Sequence, residues 1–316
     1  MYRYVIKRLL MLIPVVIGVS FLVFMVINLA PGDIISQIAP EDATVEELAE
    51  LRAEYGFDKP TIVRYFNYMK GMLRGDLGTS YITGEPVFES YMRRLPNTLA
   101  LALASIFVSV VISIPLGIIS AVKQGTWKDN VTMVVALLGL SMPNFWLGLL
   151  LIILFALNWG LLPSYGYGTF KHLILPAITV GTGLTAMLTR TTRSSMLDVV
   201  RQDYLRTARA KGVSERDVIY KHALKNALIP IITVVGTQLA SCLGGALITE
   251  TVFAWPGVGR LILDSVNSRD IPMVTGCIIL KTITISIILL IVDLLYAVVD
   301  PRIKAQYAGR RKKSNG

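Results

Sequence analysis

The feature that most constrains this chain is a series of six long apolar runs separated by polar segments. A helix needs about 20 residues to cross the hydrocarbon of a bilayer, because each residue rises about 1.5 Å. Charged residues make up only 16% of the chain, against about a quarter in soluble domains. We therefore predict an all-α membrane protein with six transmembrane helices, at residues 9–29, 98–122, 131–157, 173–189, 228–249 and 274–299.

Two of these runs are irregular. The third contains the interruption Ser141-Met142-Pro143-Asn144, and the fourth, the weakest, contains a proline and two glycines. The first run follows three basic residues, as in a secretory signal. It is longer than the roughly 7–15 apolar residues of such a signal, so we interpret it as a retained span.

Lysine and arginine are distributed unequally between alternate loops. With the N-terminus inside, the inside segments hold the basic N-terminal residues, a basic segment at 190–228 and the basic tail 300–316. The outside loop 30–97 is acidic on balance. The positive-inside rule then places both termini in the cytoplasm. This topology explains the formal net charge of +10, so no nucleic-acid partner is expected.

The outside loop carries signals for two helices. Thr44 and Glu47 form a capping box, and Gly56 suits the C-terminal stop of the same helix. A second amphipathic segment runs from Tyr65 to a stop near Gly75. We interpret this insertion, between the first span and the core at 98–299, either as a cap packed on its own membrane domain or as a surface for an external partner.

No catalytic or energy-converting motif is present in the sequence. The phosphate-binding loop GxxxxGK[ST] requires a Gly-Lys pair, which this chain lacks. Its two cysteines and two histidines show no metal-ligand spacing. Ionisable residues in the spans are few, with Glu250 and Asp293 near span ends and Lys281 further in. We expect no catalytic residues, no cofactor and no metal, and the spans give little support for an ion-driven carrier.

The basic segment 190–228 has a defined local pattern. Residues 194–211 contain good helix formers without glycine or proline, and Gly212 then stops the helix. Ser214 with Asp217 predicts a second capping box that restarts a helix toward Ala227, and Pro230 is expected to end it. The sequence predicts helix, sharp turn, helix. From the residues alone, a docking site and a solvated basic loop both remain open.

Polar and aromatic residues elsewhere give two further candidate sites. A wet pathway through the membrane, or simple interhelical hydrogen bonding, would use Ser141, Asn144, Thr182, Gln238 and Ser241. The turn Trp255-Pro256-Gly257 precedes a short helix predicted at 259–266, too short to span. We interpret this turn either as an interfacial anchor or as part of an outer gate.

Motifs along the whole chain resemble those of one family. They are APGD at 30–33, YGFDKP at 55–60, GDLGTSY at 75–81, LPNTLALA at 95–102, YLRTARAKG at 204–212, HALKNALIP at 222–230, ETVFAWPGVGRL at 250–261 and DPR at 300–302. Together they resemble the "B"-type permease subunits of ATP-binding-cassette importers in the peptide/nickel branch, and the resemblance implies the type I permease fold. The general Glu-Ala-Ala triplet of these importers falls on Arg206, Thr207 and Ala208, and its glycine on Gly212. Of the triplet only Ala208 matches, and the chain departs from it at Arg206 and Thr207. A salt bridge from a glutamate at position 206 is therefore not expected.

The resemblance implies a set of partners in a bacterial or archaeal cell membrane. These are a homologous second permease, two cytoplasmic ATPase subunits, an external solute-binding protein, the lipid bilayer and a di- or oligopeptide substrate. It implies that Thr207, Ala208 and Lys211 contact an ATPase, while Gly212 sets the turn and Ser214 with Asp217 caps the next helix. The cargo could instead be nickel, glutathione or another small solute. Outside this class of protein, the competing interpretations are a self-sufficient secondary carrier and a purely structural membrane anchor.

Overall fold

The computed structural model describes residues 2–29, 34–40 and 42–299. The APGD motif at 30–33 and the predicted basic tail 300–316 lie outside the described residues. The described part consists mainly of helices, with two π-helical turns at Ile152–Asn158 and Val218–Ala223. The α-helices are α1 Tyr2–Leu29, α2 Ile35–Ile38, α3 Val45–Glu54, α4 Thr61–Met72, α5 Val87–Val122, α6 Trp127–Ser141, α7 Asn144–Leu151, α8 Phe170–Val200, α9 Asp203–Ala210, α10 Glu215–Asp217, α11 Leu224–Gly245, α12 Leu247–Val252, α13 Val258–Asn267 and α14 Ile271–Val299.

The prediction of a helical membrane protein is confirmed. Within the described residues, five helices are long and apolar enough to cross a bilayer, at Val5–Leu29, Val87–Val122, Phe170–Val200, Glu215–Gly245 and Ile271–Leu295. A sixth crossing is reached if the bent pair Trp127–Ser141 and Asn144–Asn158 counts as one span.

The third predicted span is therefore two helices rather than one. The axes of the pair meet at 99°. Pro143 has no backbone N–H and disfavours helical geometry in the residue before it. Met142 accordingly adopts an extended conformation, with φ −83° and ψ 125°. The interruption was predicted, but the near right angle was not.

The chain divides into two compact units. In the described residues, the first comprises 99–255 and 287–299. Its central element is α8, which packs against α6, α7 and α11. Small residues permit the close contacts: a Cβ on Gly139 would lie 2.8 Å from Cγ2 of Thr182, and one on Gly181 would lie 2.7 Å from the Ser105 carbonyl oxygen.

The second unit comprises 2–98 and 256–286. It confirms the predicted helices of the insertion, since α3 begins with the complete Thr44–Glu47 capping box. Gly56 and Gly75 follow α3 and α4 with positive φ, 71° and 86°. The short helix after the Trp-Pro-Gly turn is α13. A buried core in this unit is formed by Leu77, Val87, Tyr91, Val258, Ile262, Met273 and Cys277.

Several boundaries differ from the sequence predictions. The second span begins earlier than residue 98, because α5 starts at Val87. The fourth span is not short, because α8 continues as one helix to Val200. The helix expected at 194–211 is broken at Gln202, which is extended with φ −76° and ψ 145°. Pro230 does not end a helix, because α11 continues through it to Gly245. Pro230 is the seventh residue of α11, so the N–H that it lacks removes one helical hydrogen bond, to the Asn226 carbonyl. Membrane helices tolerate such a local loss.

Candidate functional site

The segment between α8 and α11 forms the predicted sharp turn between two helices. Gly212 has φ +79°, a conformation that side chains with a Cβ rarely adopt. Its N–H donates to the carbonyl of Arg209 (2.9 Å), and the N–H of Val213 donates to that of Ala208 (3.2 Å). These two bonds define a Schellman motif, which satisfies the carbonyls at the end of α9. The turn is therefore fixed by backbone hydrogen bonds.

The helix restarts at Ser214 as predicted, but only the Ser214 half of the predicted capping box is formed. The Ser214 Oγ accepts a hydrogen bond from the Asp217 backbone N–H at 3.3 Å. The Asp217 carboxylate pairs with Lys221 one turn later, at 2.8 Å. The π-helical turn Val218–Ala223 then leads directly into α11. The turn is thus connected without a loop to a helix long enough to span a membrane.

A buried apolar core holds this segment against the end of α5. Leu205, on α9, is completely buried. It belongs to a cluster in which Ile118 and Ala121 come from α5, Met196 from α8, and Val218, Ile219, Ala223 and Ala227 from the second half of the segment. Burying an apolar side chain of this size stabilises a fold by about 1.5–3 kcal/mol. The segment is therefore a packed part of the first unit and not a solvated loop.

Two polar contacts that the sequence analysis missed reinforce the turn. Arg209 and Glu215 pair across Gly212 through two hydrogen bonds of 3.0 and 2.9 Å. Asn226 donates to the Tyr204 hydroxyl at 2.7 Å, joining the start of α9 to α11. Arg209 is therefore paired within the chain and not free for a partner carboxylate. The sequence did carry a signal for this pair, because Glu215 has the opposite charge and lies six residues after Arg209, across the predicted glycine turn.

The turn presents a small outer face. Arg206, Thr207, Lys211, Gly212 and Ser214 are exposed. Arg206 is 80% exposed and only 3.8 Å from the neighbouring Asp203 carboxylate, a weak contact. Ala208 differs, because it is half-buried and packs against the inner core.

A buried ion pair anchors the end of α8 beside this segment, and the sequence analysis missed it. Asp129, on the first turn of α6, is 4% exposed. Arg193 donates to both of its carboxylate oxygens, at 2.9 and 2.7 Å. The Gly125 N–H donates to one of them at 3.0 Å, and the Ser120 hydroxyl donates to the other. The pair links the turn between α5 and α6 to α8.

The five candidate pathway residues do not form one polar cluster. The hydroxyls of Ser141, Thr182 and Ser241 each donate to the carbonyl four residues earlier. Gln238 donates to the Leu184 carbonyl of α8 at 3.3 Å. Asn144 begins α7, and its Oδ1 is 3.2 Å from the place of a Cβ on Gly183. Asn144 and Gln238 thus each contact α8, at Gly183 and Leu184, close in sequence to Thr182. The hydrogen bonds observed for Ser141, Thr182, Gln238 and Ser241 are either within one helix or between two helices, as the second interpretation of these residues predicts.

The Trp255-Pro256-Gly257 turn is built into its surroundings. Trp255 is 3% exposed and lies in a core with Leu101, Ala177 and Ala246. Its ring meets that of Tyr167 edge to face, at 5.2 Å between centroids. Since the indole is covered by protein, the structure does not support a lipid-facing interfacial anchor. The Pro256 carbonyl accepts from the Asn97 amide at 2.9 Å, and Gly257 precedes α13.

The fold and this packed helix–turn–helix are those of a multi-span membrane protein with an ordered segment between two of its spans. Two family models match the chain: "Binding-protein-dependent transport system inner membrane component" over residues 113–305, and the N-terminal model of the same membrane components over residues 1–102. The chain belongs to this family. It is the permease subunit of an ATP-binding-cassette importer and a multi-pass membrane protein. ATP hydrolysis is the work of partner ATPase subunits, so the chain is not itself an enzyme.

Curated relatives cover almost the whole chain. The dipeptide transport system permease protein DppB of Alkalihalophilus pseudofirmus is 43% identical, over 96% of this chain and all of that protein. The glutathione transport system permease protein GsiC of Escherichia coli K12 is 42% identical, over 96% of this chain and 99% of its own length. The same name applies to a protein of Salmonella typhimurium with the same identity and coverage.

Solved structures share the fold at low sequence identity. A structure described as an inward-facing conformation of the MetNI methionine ABC transporter superposes with a TM-score of 0.58. The two are 18% identical, and the match covers 67% of this chain and 96% of that one. A second crystal form gives a TM-score of 0.55 at 19% identity, covering 67% and 97%. The expected ABC importer permease fold is confirmed.

Proposed function

We propose that this chain forms, with a homologous second permease, the membrane pathway of an importer for di- or oligopeptides. Two ATPase subunits receive the turn between α9 and α10, and an external solute-binding protein delivers the peptide. In this arrangement both termini and the segment 190–228 face the cytoplasm, while the insertion 30–97 faces outward. The excess of lysine and arginine in the segments assigned to the inside supports this orientation.

The observation that carries the coupling proposal is the packed helix–turn–helix. Its Schellman turn and buried core hold the exposed residues Thr207 and Lys211 on a short rigid element that continues into α11. A rigid element transmits the displacement of a docked partner to the spans, whereas a flexible loop would absorb it. Ala208, packed inward, then supports the contact face, while Gly212, Ser214 and Asp217 set its geometry.

Substitution of Gly212 tests this role. Valine is strained at a φ of +79°, by about 1–3 kcal/mol, and the turn must change shape. We expect Gly212→Val to leave the complex assembled while the amount of peptide imported per ATP hydrolysed falls several-fold in proteoliposomes. Gly160→Val is the matched control, because Gly160 has φ +60° and open space around it. Unchanged coupling in the Gly212 variant, at normal protein levels, would contradict the proposal.

The peptide substrate is supported by the dipeptide permease among the relatives, and glutathione is a second candidate because of the glutathione permeases. Competition for uptake by the reconstituted complex distinguishes them. Labelled dipeptide uptake should be reduced by unlabelled di- and oligopeptides, and much less by glutathione or a nickel chelate. If glutathione competes and ordinary peptides do not, the second candidate is correct.

A further inference from the structure

The second unit contains a cavity that the transport function described above does not use. It has a volume of about 360 Å³, within the range of small-molecule sites. Its walls come from the end of α1, the turn between α3 and α4, and the start of α14. The lining is aromatic and cationic, and includes Phe24, Tyr55, Lys59, Arg64, Tyr68 and Tyr81.

The charged side chains that line the cavity sum to one positive charge. Glu54, Lys59 and Arg64 line it, and in the described part of the chain none of the three forms an ion pair. Behind the lining, the Asp270 carboxylate accepts from the Tyr81 backbone N–H and the Ser80 hydroxyl. The half-buried Arg64 guanidinium donates to Asn28 at 2.9 Å and lies over the Phe57 ring, 3.7 Å from its centroid. A guanidinium has five N–H donors, so most of its donors remain available. Such a group recognises a singly charged oxyanion such as a phosphodiester.

One phenol of the lining interacts with the Arg64 charge, that of Tyr81. Burial raises the pKa of Tyr81, so it remains protonated at neutral pH and is a neutral donor. The Tyr68 hydroxyl has no hydrogen-bond partner among the described residues, but it is enclosed by protein and lies 3.4 Å from the place of a Cβ on Gly276 of α14. It therefore does not face the cavity.

The position of α4 indicates where such an anion comes from. The Tyr65 hydroxyl lies 3.2 Å from the Ile17 carbonyl oxygen and 3.1 Å from the Ser20 hydroxyl. Ser20 precedes the end of α1 at Leu29 by nine residues, which is about 13 Å along the helix. Arg64 instead contacts Asn28, one residue before that end. Thus α4 lies along a membrane-spanning helix and contacts it about one turn beyond Phe24, the residue of α1 that lines the cavity.

The outward residues of α4 are apolar in its first half, whereas Asn67 and Lys70 further along are polar and also exposed. Phe66 is 64% exposed, Ile62 45% and Val63 41%, and on α1 the side chains of Leu22 and Val26 are 63% and 64% exposed. Amphipathic helices with such a face lie at the boundary between headgroups and acyl chains. We propose that the cavity binds the phosphate of a membrane phospholipid, with the outer face of α4 embedded among the acyl chains of one leaflet. This goes beyond the transport function and does not depend on the orientation of the chain.

Lipid binding by the purified complex tests this site. The probes are phosphatidylglycerol and phosphatidylethanolamine, with diacylglycerol as the analogue lacking phosphate, and native mass spectrometry counts bound lipid. We expect Arg64→Gln and Lys59→Gln to weaken phospholipid retention about tenfold, as loss of a charge-assisted hydrogen bond does. Arg74→Gln is the matched control, because Arg74 is exposed on the same insertion and does not line the cavity.

Different occupants of the cavity give different results. Displacement of the lipid by millimolar inorganic phosphate would mean that the cavity binds free anions, and displacement by a short peptide would assign it to the transported substrate. Either result overturns the proposal. Equal retention of phospholipid by all three variants would also overturn it, and so would retention of diacylglycerol as strong as that of the phospholipids.

A second measurement remains informative if Arg64→Gln fails to fold. A bimane probe on Phe66→Cys should be quenched by brominated acyl chains in nanodiscs as strongly as one on Leu22→Cys. A probe on Glu50→Cys, exposed on α3, should be quenched far less. Signal from the two native, buried cysteines is subtracted using the unsubstituted chain. Quenching at residue 66 no stronger than at residue 50 would show that α4 does not contact acyl chains.

Discussion

The Asp129–Arg193 pair allows a quantitative prediction, because its two members are buried to different degrees. Asp129 is 4% exposed and accepts four hydrogen bonds. The Arg193 side chain is 27% exposed. Arg193→Gln leaves a carboxylate buried with two of its four donors, whereas Asp129→Asn leaves a guanidinium that can turn toward solvent. We therefore expect replacement of Arg193, the more exposed partner, to destabilise the fold more than replacement of Asp129.

The magnitudes follow from the cost of an unpaired buried charge. Breaking a buried pair on one side destabilises by about 3–5 kcal/mol, which we assign to Arg193→Gln. Asp129→Asn loses charge-assisted bonds but strands no buried charge, so about 2 kcal/mol is expected. Because the double variant leaves no ion to pair, its cost should fall short of the sum of the single costs by about 1–3 kcal/mol.

Thermal unfolding of the assembled complex in detergent shows which of these variants is destabilised more. With roughly 2–4 °C per kcal/mol for chains near this size, Arg193→Gln should lower Tm by about 10 °C and Asp129→Asn by about half as much. The double variant should melt close to Arg193→Gln. If Asp129→Asn were the more damaging substitution, or if the two effects added, the assignment of the buried carboxylate as the costly member would be refuted.

Two further predictions concern close packing and the surface pair. Gly236→Ala should destabilise the complex by about 1–3 kcal/mol, because its Cβ would lie 2.1 Å from Cγ1 of Val292. Gly244→Ala, with nothing within 4 Å, should leave Tm unchanged, and equal melting of the two variants would contradict the packing of α11 on α14. For Arg209 and Glu215, whose side chains are 36% and 58% exposed, a double-mutant cycle should give a coupling of only about 0.2–1 kcal/mol. A coupling as large as that of Asp129 with Arg193 would show that exposure does not decide the strength of these pairs.

The parts of the fold that could be predicted depend on local chemistry. Gly212 and Ser214 act on backbone groups within a few residues, so the turn and the restart of the helix were readable from the sequence. The capping box at Thr44 and Glu47 is of the same kind. The apolar runs likewise specify helices by composition alone.

What the sequence did not predict depends on distant partners. Asp129 and Arg193 are 64 residues apart, and no local pattern joins them. The break at Gln202 occurs among residues that favour a helix, because the new direction of α9 places Leu205 in the core with Val218. Here tertiary packing overrides local propensity. Ala208 was assigned to the contact face by the family resemblance, but its orientation follows from the same packing.

The bend at Met142 and Pro143 has a consequence for solvation. A helix end leaves as many as four carbonyls or four N–H groups without helical partners, and here the end of α6 and the start of α7 meet within an apolar stretch. Hydrocarbon offers no hydrogen bonds, and each unsatisfied backbone group there costs several kcal/mol. Lipid alone therefore does not supply the hydrogen bonds that this corner needs. Polar protein groups or water have to provide them wherever the helix ends lack partners.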